Sequence, residues 1–343
     1  MEDMGRVNDH KWRGRSVLVT GAGGFVGSQL AQQLVQLGAS VTVILRDEPV
    51  ASNFRLLGLH DRTTVVRGSI ADYQVVERAV NENDIDTCFH LAAQAIVGVA
   101  NRSPMSTFES NIKGTWTVLE ACRTARLVDR VVVASSDKAY GTQRTLPYRE
   151  DMALLGSNPY DASKVCTDVL VRTYASSYGL PVAVARCANI YGPGDLNLTR
   201  LVPGSIRSAL LGERPIVRSD GTPERDYVYI DDAVEAYLML AEKVAGNTDH
   251  AREAFNFGSG VPVRTIDLVR LIIEVCEAGQ LEPDVRGQGR LVGEIDRQFL
   301  DSAKAARVLG WGPKVPLEDG LRRTVDWYRP LLGREAPLRL QQN

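Results

Sequence analysis

No stretch of the 343 residues is long and apolar enough to cross a bilayer, which takes ~20 such residues; the longest run, 91–100, is broken by Gln94. Blocks of one charge are missing as well. The 40 basic and 42 acidic residues leave a net charge of -2, so there is no basic stripe for nucleic acid and no arm for a membrane surface. The five cysteines, Cys88, Cys122, Cys166, Cys187 and Cys276, are scattered and form no C-x-x-C pair. They read as reduced core thiols rather than a disulfide frame or a zinc cluster. The four histidines, His10, His60, His90 and His250, have no metal-ligand spacing, so no metal is expected, and His90 reads as packed at a strand end. Residues 1–15 are polar and lack the apolar stretch of a secretory leader. The expected compartment is therefore the cytoplasm.

What the chain does have is enough apolar material, 44%, to bury a large core. From Arg15 onward, short β-branched runs alternate with helical patterns, the rhythm of an α/β fold with a parallel sheet and crossover helices. Strands are expected at 16–20, 41–45, 64–67, 87–91, 130–134 and 181–186, several of them apolar throughout, as strands covered on both faces are. After about Ile190 the texture changes to loops rich in Gly, Pro, Asp and Arg between helical stretches at 201–211, 232–244, 266–278, 302–309 and 317–328. This divides the chain into a dinucleotide-type domain at 14–186, joined by 226–258, and a smaller lobe made of 187–225 and 259–330. Polar tails are expected at 1–13 and 331–343.

The run VLVTGAGGFVGSQL sets Gly21, Gly24 and Gly27 between a strand and an amphipathic helix. Glycine is required there if the chain is to turn sharply, bring backbone N–H groups to a pyrophosphate and seat the helix close to the sheet. This context implies a Rossmann-type, doubly wound parallel sheet holding a dinucleotide. The second strand ends in Leu45-Arg46-Asp47, where Arg46 suits a 2'-phosphate and Asp47 a free 2'-hydroxyl. NAD is expected, and this segment leaves NADP open.

Further on, Tyr160 and Lys164 stand four apart at the start of an expected helix, hence on one face. A phenol is a poor base at neutral pH, but a neighbouring ammonium and a positive nicotinamide ring both favour its phenolate. Together with the glycine loop and a strand ending in hydroxyls, the pair resembles the extended short-chain dehydrogenase/reductases, the family of nucleotide-sugar epimerases and dehydratases. The resemblance is carried across almost the whole chain by TGAGGFVG (20–27), HLAAQA (90–95), ASSDKAYG (134–141), YDASK (160–164), NIYGPGD (189–195), RDYVYIDD (225–232), FNFGSG (255–260) and LDSAKAARVLGWGP (300–313). By that resemblance Phe25, Val26, Ser69, Ile70, Leu91, Ala92, Ala93 and Asn111 would join the glycines, Tyr160 and Lys164 around the cofactor. Gln94, Asn189, Arg225 and Arg297 would hold the nucleotide-sugar, arginine being suited to a diphosphate, and Ser136 would bind the hydroxyl that is oxidised. Relatives pair as homodimers, which the resemblance extends to this chain. Two positions depart from the family pattern: Ser69 stands where an aspartate is common, and Tyr229 where a histidine is frequent.

The reaction turns on Asp137 and Lys138, which directly follow Ser136. A 4-epimerase needs only C4 oxidation, rotation of the keto-sugar and return of the hydride. A dehydratase also needs one group to take the C5 proton and another to protonate the C6 hydroxyl. Asp137 and Lys138 are such a pair, and S-D-K resembles the CDP-glucose 4,6-dehydratases, whereas dTDP-glucose 4,6-dehydratases commonly carry D-E. A strand-end ion pair of no catalytic meaning would be worth little, but the carboxyl ends of parallel strands line the ligand crevice in this architecture. The expectation is a CDP-glucose-like 4,6-dehydratase. A 4-epimerase is the first alternative, and a non-catalytic NAD(P)-binding regulator, with no need of Tyr160 and Lys164, is the second.

Overall fold

The computed structural model describes residues 9–47, 51–245, 252–287 and 295–332. Segments 1–8 and 333–343 of the two expected tails, together with His250, lie outside the described residues. Seven parallel strands make the central sheet: β1 (Ser16–Thr20), β2 (Ser40–Leu45), β3 (Thr64–Arg67), β4 (Thr87–His90), β5 (Arg130–Ser136), β6 (Val182–Cys187) and the strand Ala254–Phe257. Their spatial order is Ala254–Phe257, β6, β5, β4, β1, β2, β3. The chain winds outward from β1 to β3, then crosses back and winds the other way from β4. A crevice therefore opens at the carboxyl ends of β1 and β4, where the winding reverses. The strand Ala254–Phe257 is not among the six runs marked by sequence alternation, and it adds to the open edge of β6 with Phe257 beside Cys187.

Side chains alternate between the two faces of the sheet with period two. Val17, Val19 and Val132 enter one core, with Leu30 and Leu34 of helix α1 (Phe25–Gln36) and Leu240 of helix Ile230–Val244. Leu18, Val131 and Val133 enter the other, with Val76, Val118 and Val171 from helices Tyr73–Glu82, Gly114–Thr124 and Pro159–Tyr178. The sheet is thus covered on both faces, which is why its inner strands are apolar throughout.

The second lobe rests on short strands. Asn189–Tyr191 pairs with Tyr227–Tyr229, while Glu224–Arg225 lies between Val263–Arg264 and Arg297–Gln298. Helices Leu201–Leu210, Thr265–Val275, Ala303–Leu309 and Leu317–Leu332 complete it. At the other end of the chain, packing begins at Asp9, inside the stretch that reads as a polar tail. Trp12 is fully buried, and its Nε1 donates to Glu242 Oε1 at 3.0 Å, so the indole anchors these residues to helix Ile230–Val244.

Behind the carboxyl ends of β5 and β6 lies a buried ionic network. Arg186 donates from Nε and Nη2 to Asp168 Oδ1 at 3.0 and 2.7 Å and from Nη1 to Tyr140 Oη at 2.6 Å. The Tyr140 hydroxyl passes its own proton to Asn256 Oδ1 at 2.8 Å, and Ser135 Oγ donates to Asp168 Oδ2 at 2.5 Å. Removing one charge of such a pair strands the other in a medium that cannot solvate it. Asp168→Ala is therefore expected to lower the unfolding free energy by about 3–5 kcal/mol in denaturant titrations. Asp168→Leu combined with Arg186→Met, which leaves no lone charge, should recover part of that loss; a double variant as unstable as the single one would contradict this account.

Candidate active site

The crevice at the winding reversal is a cleft of about 780 Å³. Its floor is the glycine turn. Gly21 has φ +79°, a region that side chains avoid, and a Cβ there would lie 2.6 Å from Ala92 N. A Cβ on Gly27 would lie 2.2 Å from the Gly21 carbonyl oxygen, a contact that α1 can avoid only by moving off the turn. Gly24 is the N-cap of α1 and supplies no side chain to its free N–H groups, and the first turn has no acid. Such a helix start favours an anion.

Gly21, Gly24, Phe25, Val26 and Gly27 line this cleft, as do Arg46, Asp47, Ser69, Ile70, Leu91, Ala92, Ala93 and Gln94. These walls fit a dinucleotide: an open helix N-terminus for the pyrophosphate, apolar side chains for the base, and polar groups at the end of β2. Arg46 and Asp47 pair with each other there, Nε to Oδ2 at 2.6 Å, both exposed to solvent. The far wall comes from 194–197 and Arg200 in the second lobe, with Arg200 Nη1 held by the buried Asp195 carboxylate at 3.0 Å. Neither Arg200 nor Asn53, another lining residue, sits in a pattern that sequence reading would single out.

Asn111, which the resemblance would set at the cofactor, is bonded to the cleft-lining Gln94. It is buried, does not line the cleft, and is fully engaged within the protein. Its Oδ1 accepts from Gln94 N at 2.7 Å, and its Nδ2 donates to Gln94 O at 3.1 Å and Ser163 Oγ at 2.9 Å. It sits in a π-helical turn, Glu109–Lys113, the kind of local widening that re-aims a side chain. Asn111 thereby ties loop 91–95 to the helix bearing Tyr160 and Lys164.

A proton-ordered chain backs that tie. Thr20 Oγ1 accepts from Ala92 N at 3.2 Å and lies 2.7 Å from His90 Nδ1. Thr115 Oγ1 donates to Asn111 O at 2.6 Å, so its lone pair receives the His90 Nε2 proton at 3.1 Å. His90 therefore carries a proton on Nε2, and once the ring is neutral its Nδ1 accepts from Thr20. Burial, then the charge of Lys164, lowers its pKa to about 3.

Tyr160 and Lys164 lie on one face of helix Pro159–Tyr178, both buried. Lys164 Nζ stands 5.9 Å from the Tyr160 ring centre and donates to Ala134 O at 2.8 Å. Burial lowers Lys164 to about 8. Tyr160 moves the other way. Burial, followed by the Asp137 charge, pushes it up to about 12, against a hydrogen bond with Ser136. The ammonium alone does not bring the phenol into the neutral range.

At the end of β5, Ser136 caps a tight turn, Asp137–Tyr140, by accepting from Lys138 N at 3.2 Å. Its hydroxyl donates to Asp137 Oδ1 at 2.9 Å. Asp137 is buried, and burial raises its pKa to about 6 despite the opposing Lys138 charge and the Ser136 hydrogen bond. Lys138 extends toward the second lobe, where its Nζ donates to Gln298 Oε1 at 2.6 Å.

The remaining expected residues gather around that contact. Arg225 and Arg297 occupy adjacent strands, Arg225 beside Gln298 in register. Arg225 Nη1 donates to Glu224 O at 2.9 Å, and Arg297 Nε is held by Glu224 Oε2 at 2.6 Å with its side chain half exposed. Asn189 Nδ2 donates to Asp226 O at 3.0 Å. Among the described residues no cluster of His, Cys, Asp and Glu could hold a metal ion, and no helix is long and apolar enough to cross a membrane.

The glycine turn offers a direct test. Gly27→Ala is expected to weaken NAD binding by a factor of about 5–150, the equivalent of a 1–3 kcal/mol packing clash, in fluorescence titration of the folded protein. Wild-type affinity in that variant would rule out the close contact with Gly21 as a requirement.

Residues 17–258 match the family described as the NAD dependent epimerase/dehydratase family. One curated relative is the trifunctional UDP-glucose 4,6-dehydratase/UDP-4-keto-6-deoxy-D-glucose 3,5-epimerase/UDP-4-keto-L-rhamnose-reductase of Arabidopsis thaliana, 30% identical over 323 residues. That match takes in 92% of this chain but 47% of the plant protein, so the chain spans about half the length of that relative. Among solved structures, the UDP-glucose 4-epimerase of Thermotoga maritima with UDP-glucose superposes with a TM-score of 0.84 at 32% identity, covering 92% of this chain and 99% of that one. The dTDP-glucose 4,6-dehydratase DesIV of Streptomyces venezuelae with NAD bound gives 0.81 at 30%, covering 91% and 96%. The seven-stranded sheet, the glycine turn and these likenesses agree: the chain belongs to the NAD dependent epimerase/dehydratase family.

Proposed function

We propose that this enzyme is a nucleotide-sugar 4,6-dehydratase, converting an NDP-hexose to the NDP-4-keto-6-deoxyhexose with loss of one water, and that a CDP-glucose-like donor is its substrate. The observation that carries the reading is the environment of Asp137, a buried carboxyl whose pKa is raised to about 6, beside an amine that reaches in from the next position. An epimerase has no use for such a group. A general acid poised near the working pH is what elimination requires.

NAD, when bound, takes the hydride from C4 and later returns it to C6. Tyr160 accepts the proton of the C4 hydroxyl as that hydride leaves, and Ser136 orients the hydroxyl. Burial and Asp137 hold the phenol near 12, so the charge that makes it a base has to come from a cation at the nicotinamide position as well as from Lys164. Once C4 is a ketone, the C5 proton is acidic, and Lys138 removes it. Asp137 gives its proton to the C6 hydroxyl, which departs as water. Lys138 then returns its proton to C5, and the sugar has lost one water. Asn189, Arg225 and Arg297 are the proposed anchors for the diphosphate, paired guanidinium bonds being suited to it. For Arg297 this entails exchange of its Glu224 partner for phosphate.

Incubation with CDP-glucose, dTDP-glucose, UDP-glucose and GDP-mannose should yield a product one water lighter, with the CDP sugar turned over fastest. Isomers of unchanged mass would point to the epimerase, and no reaction with any donor would undo the proposal.

Asp137→Asn should cut turnover by about 10²–10⁴, the usual worth of a positioned acid or base, while leaving C4 oxidation measurable as reduced nicotinamide. In the wild type the elimination step should slow as pH rises above about 6, because the acid form of Asp137 is lost there. Stability carries the opposite mark. A carboxyl whose folded pKa is raised favours the fold at low pH and loses that contribution as pH climbs through about 6. Asp137→Asn should therefore gain on the order of 1–3 kcal/mol over wild type at pH 8 and little at pH 4. A variant that is less stable at pH 8 would show that the carboxylate is not penalised by burial.

A further inference from the structure

Among the described residues, two buried side-chain nitrogen or oxygen atoms have no hydrogen-bond partner, Asp137 Oδ2 and Gln298 Nε2. Leaving such an atom unpaired costs about 1–3 kcal/mol, so each of them needs a reason. They meet at one side chain. Lys138 Nζ donates to Gln298 Oε1 at 2.6 Å, across 160 residues of sequence, and the same Lys138 charge acts on the Asp137 carboxyl.

Gln298 is fully buried, and its mounting is firm. It lies in the strand Arg297–Gln298, paired in register with Glu224–Arg225, and its carbonyl oxygen accepts from Asp226 N at 3.0 Å. A planar carboxamide with its oxygen fixed on an ammonium has no freedom left for its nitrogen, which keeps two protons to give.

We propose that Gln298 is a positioning residue of the acid and base pair: its Oε1 fixes the Lys138 amine, and its Nε2 is the donor to the sugar oxygen that departs as water. This inference rests on the dehydratase reading. The two open atoms are what one hydroxyl would complete. Its oxygen takes a proton from Gln298 Nε2 and a second from protonated Asp137 Oδ2, and two donors on one oxygen prepare it to leave. With Asp137 ionised, the same hydroxyl donates to Oδ2 instead. The second lobe would thus contribute to the chemistry as well as to binding, delivering through one side chain both the aim of the base and a hand on the leaving group.

Two substitutions separate these roles. Gln298→Met has similar volume and neither polar atom, and Gln298→Glu keeps an acceptor for Lys138 but loses the donor. Lys138 is followed directly by ¹³C-methylation and NMR titration, with Lys138→Arg identifying its resonance. Its midpoint should fall in Gln298→Met, which lacks the acceptor that favours the charged amine, and should rise in Gln298→Glu.

In single turnovers, both variants should form reduced nicotinamide at rates within about threefold of wild type and release water at least tenfold more slowly, a change equal to about 1.4 kcal/mol. Reduced cofactor should therefore accumulate. An unshifted Lys138 midpoint in folded Gln298→Met, or unchanged water release in Gln298→Glu, would overturn the proposal. If the wild type releases no water from any donor, the dehydratase reading and the leaving-group role fall together, and the titration still decides whether Gln298 fixes the amine.

Discussion

The ion pair of Asp168 and Arg186 holds together everything the site needs. Each atom it engages belongs to a different element: Ser135 to β5, Asp168 to helix Pro159–Tyr178, Arg186 to β6, Tyr140 to the turn after Ser136, and Asn256 to the strand Ala254–Phe257. Asp168 is one turn beyond Lys164, and Tyr140 is two residues beyond Lys138. The helix bearing Tyr160 and Lys164 and the turn bearing Asp137 and Lys138 are therefore pinned to the same guanidinium. Such a pair need not add net stability, since two charges have been withdrawn from water. What it supplies is registry, because few other arrangements of these five side chains would satisfy every donor and acceptor.

A second constraint fixes the cofactor side. The chain from Ala92 N through Thr20, His90 and Thr115 to the Asn111 carbonyl has one consistent assignment of protons. It links the end of β1, just before the glycine turn, to the end of β4 and to the π-helical turn of Asn111. Asn111 then extends the link to Ser163, between Tyr160 and Lys164. Dinucleotide cleft and catalytic helix are thus joined by hydrogen bonds whose direction is set by a neutral histidine. Burial, with the charge of Lys164, keeps that histidine neutral near physiological pH.

Much of this was legible beforehand, and the reason is period. The six expected strands and the five expected helices after Ile190 appear with their ends shifted by a few residues, since β-branched runs and amphipathic repeats are local properties. The glycine turn was readable because steric exclusion at Gly21 and Gly27 leaves no substitute. The strand Ala254–Phe257 was hidden by its shortness and its aromatics. The burial of Trp12 was hidden by polar neighbours that suggested a loose tail. That the Asn111 amide ties Gln94 to Ser163 was hidden, because a π-helical turn has no compositional mark. Gln298 lies 160 residues from Lys138, and no pattern along a chain announces that a neutral amide will face a particular lysine.

The electrostatics around Asp137 bring these strands of argument together. Burial raises the carboxyl, Asp226 raises it further, and Lys138, Arg225 and the Ser136 hydroxyl hold it down. Three of these influences come from the second lobe or reach toward it. Asp226 is itself buried and satisfied by Ser259, Gly260 and Leu300 backbone N–H groups at 2.9–3.2 Å, so its charge does not need a cation and remains effective at a distance. A buried carboxyl left with one free oxygen is destabilising for the folded chain once the pH rises past about 6 and it ionises. Selection for stability alone would replace it with an amide; its presence where the two lobes meet is the strongest physical reason to regard this end of β5 as the place where bonds are broken.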